Sequence, residues 1–224
     1  MSKLQTGSAI ESAFAPLRNT IDTLWSSIIP QGGLDGPTKI AFAGTAEGDG
    51  ATTIATCAAI GLAKHIQARV LLVEANFAAP RLASQLQLHA TPGFAGLLDG
   101  TTDVERAIQA TDLEGLSAMP AGVESPVRPG IFSSDRARDV FRELSEQFDC
   151  VIVDAPPVLD HPESRSIFWH VDRAVLVLRA GSTKQDAADK AAQEIEHSGA
   201  ELLGAVLNRR RSDLPSWLTG NQNG

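Results

Sequence analysis

Ile40-Ala41-Phe42-Ala43-Gly44-Thr45-Ala46-Glu47-Gly48-Asp49-Gly50-Ala51-Thr52-Thr53 decides how this chain is read. A short apolar run enters a glycine-rich loop, and a small-residue helical pattern leaves it at Thr52. A strand, such a loop and a helix in that order make a cradle for phosphate. Backbone N–H groups converge on the anion, and the helix N-terminus adds partial positive charge. The phosphate-loop spacing calls for a lysine between Gly50 and Thr52. Here that residue is Ala51. The chain keeps a nucleotide-binding frame without its main point charge.

Outward from the loop, apolar runs alternate with helical patterns. Lys39–Ala43 reads as a strand, followed by a helix over Thr52–Ile66. Val70–Val73, Leu116–Met119, Cys150–Val153, Ala174–Leu178 and Leu202–Leu207 read as further strands. Helices are expected at Ser134–Phe148, with Ala137, Val140, Phe141, Leu144 and Phe148 on one face, and at Lys184–His197. Continuous apolar strands separated by helices imply a doubly wound, mostly parallel sheet covered on both faces, an α/β fold. Residues 1–36 stand apart as a helical arm and linker, ahead of an α/β domain over residues 37–224. Ile10–Ile29 carries Phe14, Leu17, Ile21, Leu24 and Ile28 at helical spacing, and a turn-rich segment follows from Gln31.

With 224 residues and 43% apolar content, the chain is long enough for one large domain with its own core. Its 19 basic and 27 acidic residues give a net charge of −8, which argues against nucleic acid as a partner. No apolar run approaches the ~20 residues that span a bilayer, and no secretory signal pattern opens the chain. Cys57 and Cys150 are far apart and read as small buried hydrophobes. The expected location is the cytoplasm.

In a sheet of this kind, ligands sit beyond the C-terminal strand ends. The candidate nucleotide-binding residues are therefore Gly48, Asp49, Gly50, Thr52 and Thr53. Asp154, closing Val151-Ile152-Val153, is placed to hold Mg²⁺, often through water. Thr52 would bring its hydroxyl to the same ion, or serve as a helix N-cap. Glu74 and Asn76 follow another strand. A carboxylate there can orient a metal or a nucleophile, whereas a neutral amide cannot act as a base. His65, His89, His161, His170 and His197 show no ligand spacing and read as surface or satisfied helix residues. No Gly-x-Ser-x-Gly elbow supports a serine hydrolase. Arg209-Arg210-Arg211, with Trp217 beyond it, reads either as a solvated stretch or as a contact for an acidic membrane surface.

Taken together, these segments resemble the bacterial tyrosine kinases of capsular and exopolysaccharide synthesis. That family shares its P-loop fold with division-site (MinD-type) and chromosome-partitioning (ParA-type) ATPases. The resemblance runs from about Phe14 to Leu218. Val70-Leu71-Leu72-Val73-Glu74-Ala75-Asn76 is similar to the family's second acidic motif, and Phe148-Asp149-Cys150-Val151-Ile152-Val153-Asp154-Ala155-Pro156-Pro157 to its third. Pro92-Gly93, Gly96-Leu97-Leu98-Asp99-Gly100, Pro120-Ala121-Gly122, Val177-Leu178-Arg179-Ala180-Gly181 and Gly204-Ala205-Val206-Leu207-Asn208 follow in matching order. The resemblance implies ATP or ADP with Mg²⁺ as ligand, Asn208 as the adenine contact, and a transmembrane polysaccharide co-polymerase or a kinase as partner. It also implies a place at the inner face of the cell membrane.

The departures fall on the chemistry. Ala51 stands for the phosphate-loop lysine, and Glu74 and Asn76 stand for two aspartates of the second motif. Ala78-Ala79 stands for the basic pair that follows, and Phe14-Ala15-Pro16-Leu17-Arg18 keeps one of two ring-assembly arginines. With no tyrosine among the 224 residues, autophosphorylation on a tyrosine cluster is excluded for this polypeptide acting alone. A lysine charge about 4 Å from a phosphate oxygen is worth on the order of 4 kcal/mol at an effective dielectric near 20. The expectation is a weak nucleotide site, or an empty one, with little or no catalysis, in a pseudokinase-like regulator of polysaccharide polymerisation or export. Two alternatives stay open. One is an active kinase or ATPase with a substitute cation, for which Lys39 and Lys64 are nearest in sequence. The other is a MinD- or ParA-like positioning ATPase. Homo-oligomer formation is open as well.

Overall fold

The computed structural model describes residues 9–28, 36–65, 68–123 and 127–209, with backbone alone at 25–28. Among these residues a single seven-stranded sheet runs β1 Thr38–Gly44, β2 Val70–Glu74, β3 Gln109–Ala110, β4 Leu116–Met119, β5 Cys150–Asp154, β6 Arg173–Arg179 and β7 Glu201–Asn208. Its order is β3-β4-β2-β5-β1-β6-β7. Every pairing is parallel except the two-residue edge strand β3 against β4. β1 therefore lies between β5 and β6, and the loop that follows it opens at the centre of the sheet.

Strand alternation divides the interior into two layers. Ala41, Ala43, Leu71, Val73, Val151 and Val153 face one side, where they pack with Phe94, Phe132, Phe141 and Phe168. Ile40, Phe42, Val70, Leu72, Cys150 and Ile152 face the other, against helix α3. Burial on both faces is why these strands read as continuous apolar runs.

The first helices are α1 Ala9–Phe14 and α2 Arg18–Ile28, with a 3-10 turn at Ala15–Leu17 between them. Pro16 in that turn interrupts what would otherwise be one amphipathic helix. Ile10, Phe14, Ile21 and Leu24 are all buried against the α3 layer. Helix α3, Ala51–His65, is buried at every position from Ile54 to Ala63. It is covered by the sheet on one side and by α2 on the other, which its small side chains permit. A salt bridge from Lys64 to Glu11 (2.7 Å) and a hydrogen bond between His65 and Asp22 (3.0 Å) tie the arm to the end of α3.

The remaining helices are α4 Leu82–Leu86, α5 Phe94–Asp99, α6 Val104–Ala107, α7 Asp135–Gln147, α8 Glu163–Phe168 and α9 Gln185–His197. Helix α7 begins after Ser134, whose side chain accepts a 3.1 Å hydrogen bond from the Ala137 N–H. The long helices and six of the strands coincide with the sequence pattern, whereas β3 and the short helices α4, α5, α6 and α8 have no pattern that marks them. The linker from Gln31, Arg210, Arg211 and the segment around Trp217 lie outside the described residues. Cys57 and Cys150 are buried free thiols, and burial pushes both up to about 12.

Candidate phosphate-binding site

β1 ends at Gly44, and the chain turns through Thr45–Gly50 into α3. The Asp49 carboxylate closes this loop on itself. Its Oδ2 accepts from the Thr45 N–H (2.9 Å), the Thr45 hydroxyl (2.7 Å) and the Ala46 N–H (3.0 Å). Asp49, a predicted ligand-binding residue, thus has its carboxylate committed to the loop. Helix α3 starts at Ala51, so Thr52 lies inside the first turn, which removes its N-cap reading. The N–H groups of that turn have no carbonyl one turn back within the helix. They open toward a cavity of about 290 Å³ lined by Gly48, Gly50, Ala51, Thr52 and Thr53, together with Asn76, Arg81 and Arg209.

Asn208, at the end of β7, reaches the same loop. Its Nδ2 donates to the Asp49 carbonyl at 2.8 Å, and its Oδ1 accepts from the Arg209 N–H at 2.8 Å. Gly50 makes room for it. Gly50 has φ +95°, and a Cβ there would lie 2.2 Å from the Asn208 Nδ2. The residue expected to contact adenine is, in this fold, a strut of the loop after β1.

Strand register puts Glu74 beside Asp154 at the C-terminal ends of β2 and β5. Both are about 1% exposed, yet their surroundings differ sharply. The Glu74 Oε1 accepts from the backbone N–H groups of Arg81 and Leu82, at the start of α4, and its Oε2 accepts from the Ala121 N–H at 3.0 Å. Asp154 has no hydrogen-bond partner on either oxygen among the described residues. Burial pushes its carboxyl up to about 8. The Thr52 hydroxyl opposes that shift without reaching hydrogen-bond geometry, and the Glu74 charge adds to it. Asn76 accepts a 3.3 Å hydrogen bond from the Ala79 N–H through its Oδ1.

Mg²⁺ takes one or two protein oxygens and completes its shell with water and phosphate. An unpartnered buried carboxylate beside the Thr52 hydroxyl fits that demand. Among the described residues no cluster of three or more His, Cys, Asp or Glu offers an all-protein metal cage. Asp154 and Thr52 are thus the residues that would hold the ion, and the ion would neutralise phosphate charge there.

The cations named from sequence proximity are elsewhere. Lys39 pairs with Asp172 at 3.3 Å at the opposite end of β1, and Lys64 pairs with Glu11 about 20 Å along α3 from Ala51. Arg81, which no sequence signal singled out, and Arg209 are the cationic residues on the cavity lining. His170 is satisfied as expected. It stacks on Phe141 (4.9 Å between centroids) and its Nε2 lies 2.6 Å from the Phe132 carbonyl.

No family model matches the chain. It is 30% identical over 170 residues to the tyrosine-protein kinase ptk of Acinetobacter johnsonii, covering 75% of this chain and 23% of that much longer protein. It is 28% identical to the tyrosine-protein kinase YwqD of Bacillus subtilis (strain 168), covering 73% of this chain and 69% of that one. Among solved structures, the chimerical protein CapA2B2 is 25% identical with a TM-score of 0.73, covering 93% and 88% of the two chains. The septum site-determining protein MinD of Pyrococcus horikoshii OT3, solved with Mg-ADP, is 21% identical with a TM-score of 0.65, covering 81% of this chain and 75% of that one. The fold is that of the P-loop kinases and MinD-like ATPases, and the curated relatives are bacterial tyrosine-protein kinases.

Proposed function

We propose that this chain, a homologue of the bacterial tyrosine-protein kinases, holds a nucleotide weakly and does not turn it over, acting as a docking regulator of capsule or exopolysaccharide synthesis. The observation that carries this reading is the state of Glu74. Its carboxylate is consumed by three backbone N–H groups. Asn76, two residues on, is an amide engaged with its own turn. Phosphoryl transfer depends on positioning the nucleophile and neutralising charge. Neither residue at the end of β2 is free to orient an attacking hydroxyl, while Asp154, Thr52 and the loop remain to hold phosphate and metal.

The partner in this reading is a transmembrane polysaccharide co-polymerase or an intact kinase, met at the inner face of the cell membrane. Kinship with the tyrosine-protein kinases supports it. Among the described residues no helix is long and apolar enough to cross a membrane.

The test is incubation of the purified chain with ATP and Mg²⁺, alone and with a tyrosine-bearing peptide. Phosphate release and peptide labelling are expected to stay at background. Sustained turnover in the range of working kinases, about 1–100 s⁻¹, would overturn the reading in favour of an active enzyme.

A further inference from the structure

We propose that Arg81 and Arg209 together supply the positive charge for the phosphate tail of a bound nucleoside di- or triphosphate, which Ala51 leaves without a cation. The assignment rests on the nucleotide reading above and names the residues that would make it work. Both arginines line the cavity formed by Gly48, Gly50 and Thr52. The strand order places them on opposite sides of the loop. Arg81 follows β2, two strands to one side of β1, and Arg209 follows β7, two strands to the other.

Each arginine is set in place by a residue already described. The Glu74 carboxylate grips the Arg81 N–H and so fixes where that side chain leaves the backbone. The Asn208 Oδ1 grips the Arg209 N–H, and Arg209 takes a left-handed φ of 56°. Neither guanidinium has a hydrogen-bond or ion-pair partner among the described residues. By contrast Lys39, Lys64, Arg69 and Arg173 are each paired with a carboxylate. The acids on the lining are Glu47 and Asp49, and Asp49 is spent on the loop. A guanidinium stays charged, has a long reach and binds phosphate through two parallel N–H groups. Such a side chain can serve the loop from outside it, which a lysine at position 51 would do from within.

The test is titration of fluorescently labelled ADP and ATP, with Mg²⁺, into the full chain and into Arg81→Ala, Arg209→Ala and the double variant. Both side chains are exposed, so the variants should fold, and circular dichroism checks this. Each single change is expected to weaken binding roughly tenfold and the double roughly a hundredfold. Adding Ala51→Lys to the double variant should restore affinity, tying the loss to charge at the phosphates. Undiminished binding by the double variant would overturn the arginine assignment alone. No binding by the unaltered chain would overturn both the assignment and the nucleotide reading.

Discussion

The Asn208 side chain spans from the end of β7 past β6 to donate a 2.8 Å hydrogen bond to the Asp49 carbonyl. The contact joins residues 159 positions apart. It makes the shape of the phosphate loop depend on the last strand of the sheet. The approach is close enough that a Cβ at Gly50 would have to displace the Asn208 amide.

Gly50→Ala should therefore cost about 2–4 kcal/mol, from the left-handed backbone and the collision with Asn208. Asn208→Ala alone should cost about 1 kcal/mol, the worth of one hydrogen bond. In the double variant the collision disappears, so the costs should fall short of their sum by about 1 kcal/mol or more. Urea unfolding of the four proteins measures this coupling. Strict additivity would mean that the two residues do not meet in solution.

Glu74→Gln keeps the size of the side chain but turns one acceptor into a donor facing backbone N–H groups. A loss of about 2–3 kcal/mol is expected, because buried donors are left unmatched. Amide exchange at Leu82 and Ala121 should accelerate in the same variant. Unchanged exchange at both would show that the carboxylate does not hold these segments.

Asp154 sets a pH dependence. Its carboxyl titrates near 8 when folded, well above an unfolded aspartate at about 3.9. The folded state therefore holds its proton more tightly between these values. This contribution to stability is full below about pH 4 and is lost as pH rises toward 8. In metal-free buffer, Asp154→Asn should remove that decline and be more stable than the unaltered chain at pH 8, by about 1–3 kcal/mol. Parallel stability–pH curves for the two proteins would contradict it.

Phe14→Ala tests whether the N-terminal helices and the sheet unfold together. Phe14 is 6% exposed against the α3 layer. Its truncation should cost about 3 kcal/mol with a single unfolding transition. Two separated transitions would make the arm an independent unit.

The centre of the sheet was legible because it obeys a local rule. Ile40–Ala43 and Val151–Val153 are apolar on both faces and end in residues that mark a strand terminus, Gly44 and Asp154. The loop after β1 could be read from the same stretch. The short helices α4 and α6 escaped because each has too few apolar positions to establish a period. The role of Glu74 escaped for a different reason: its partners are backbone N–H groups, present in every sequence and brought together only by folding. Arg81 was silent on the same ground. Lys39 and Lys64 looked available by proximity along the chain, yet each has a carboxylate that the fold delivers from far away in sequence or from the arm.

The knotting of Glu74 into the start of α4 also limits what this strand end can carry. A shorter aspartate at this strand end would leave the amides of Arg81, Leu82 and Ala121 short of their acceptor. A carboxylate that must hold these three amides cannot also reach out to a ligand without loosening the segments it ties down.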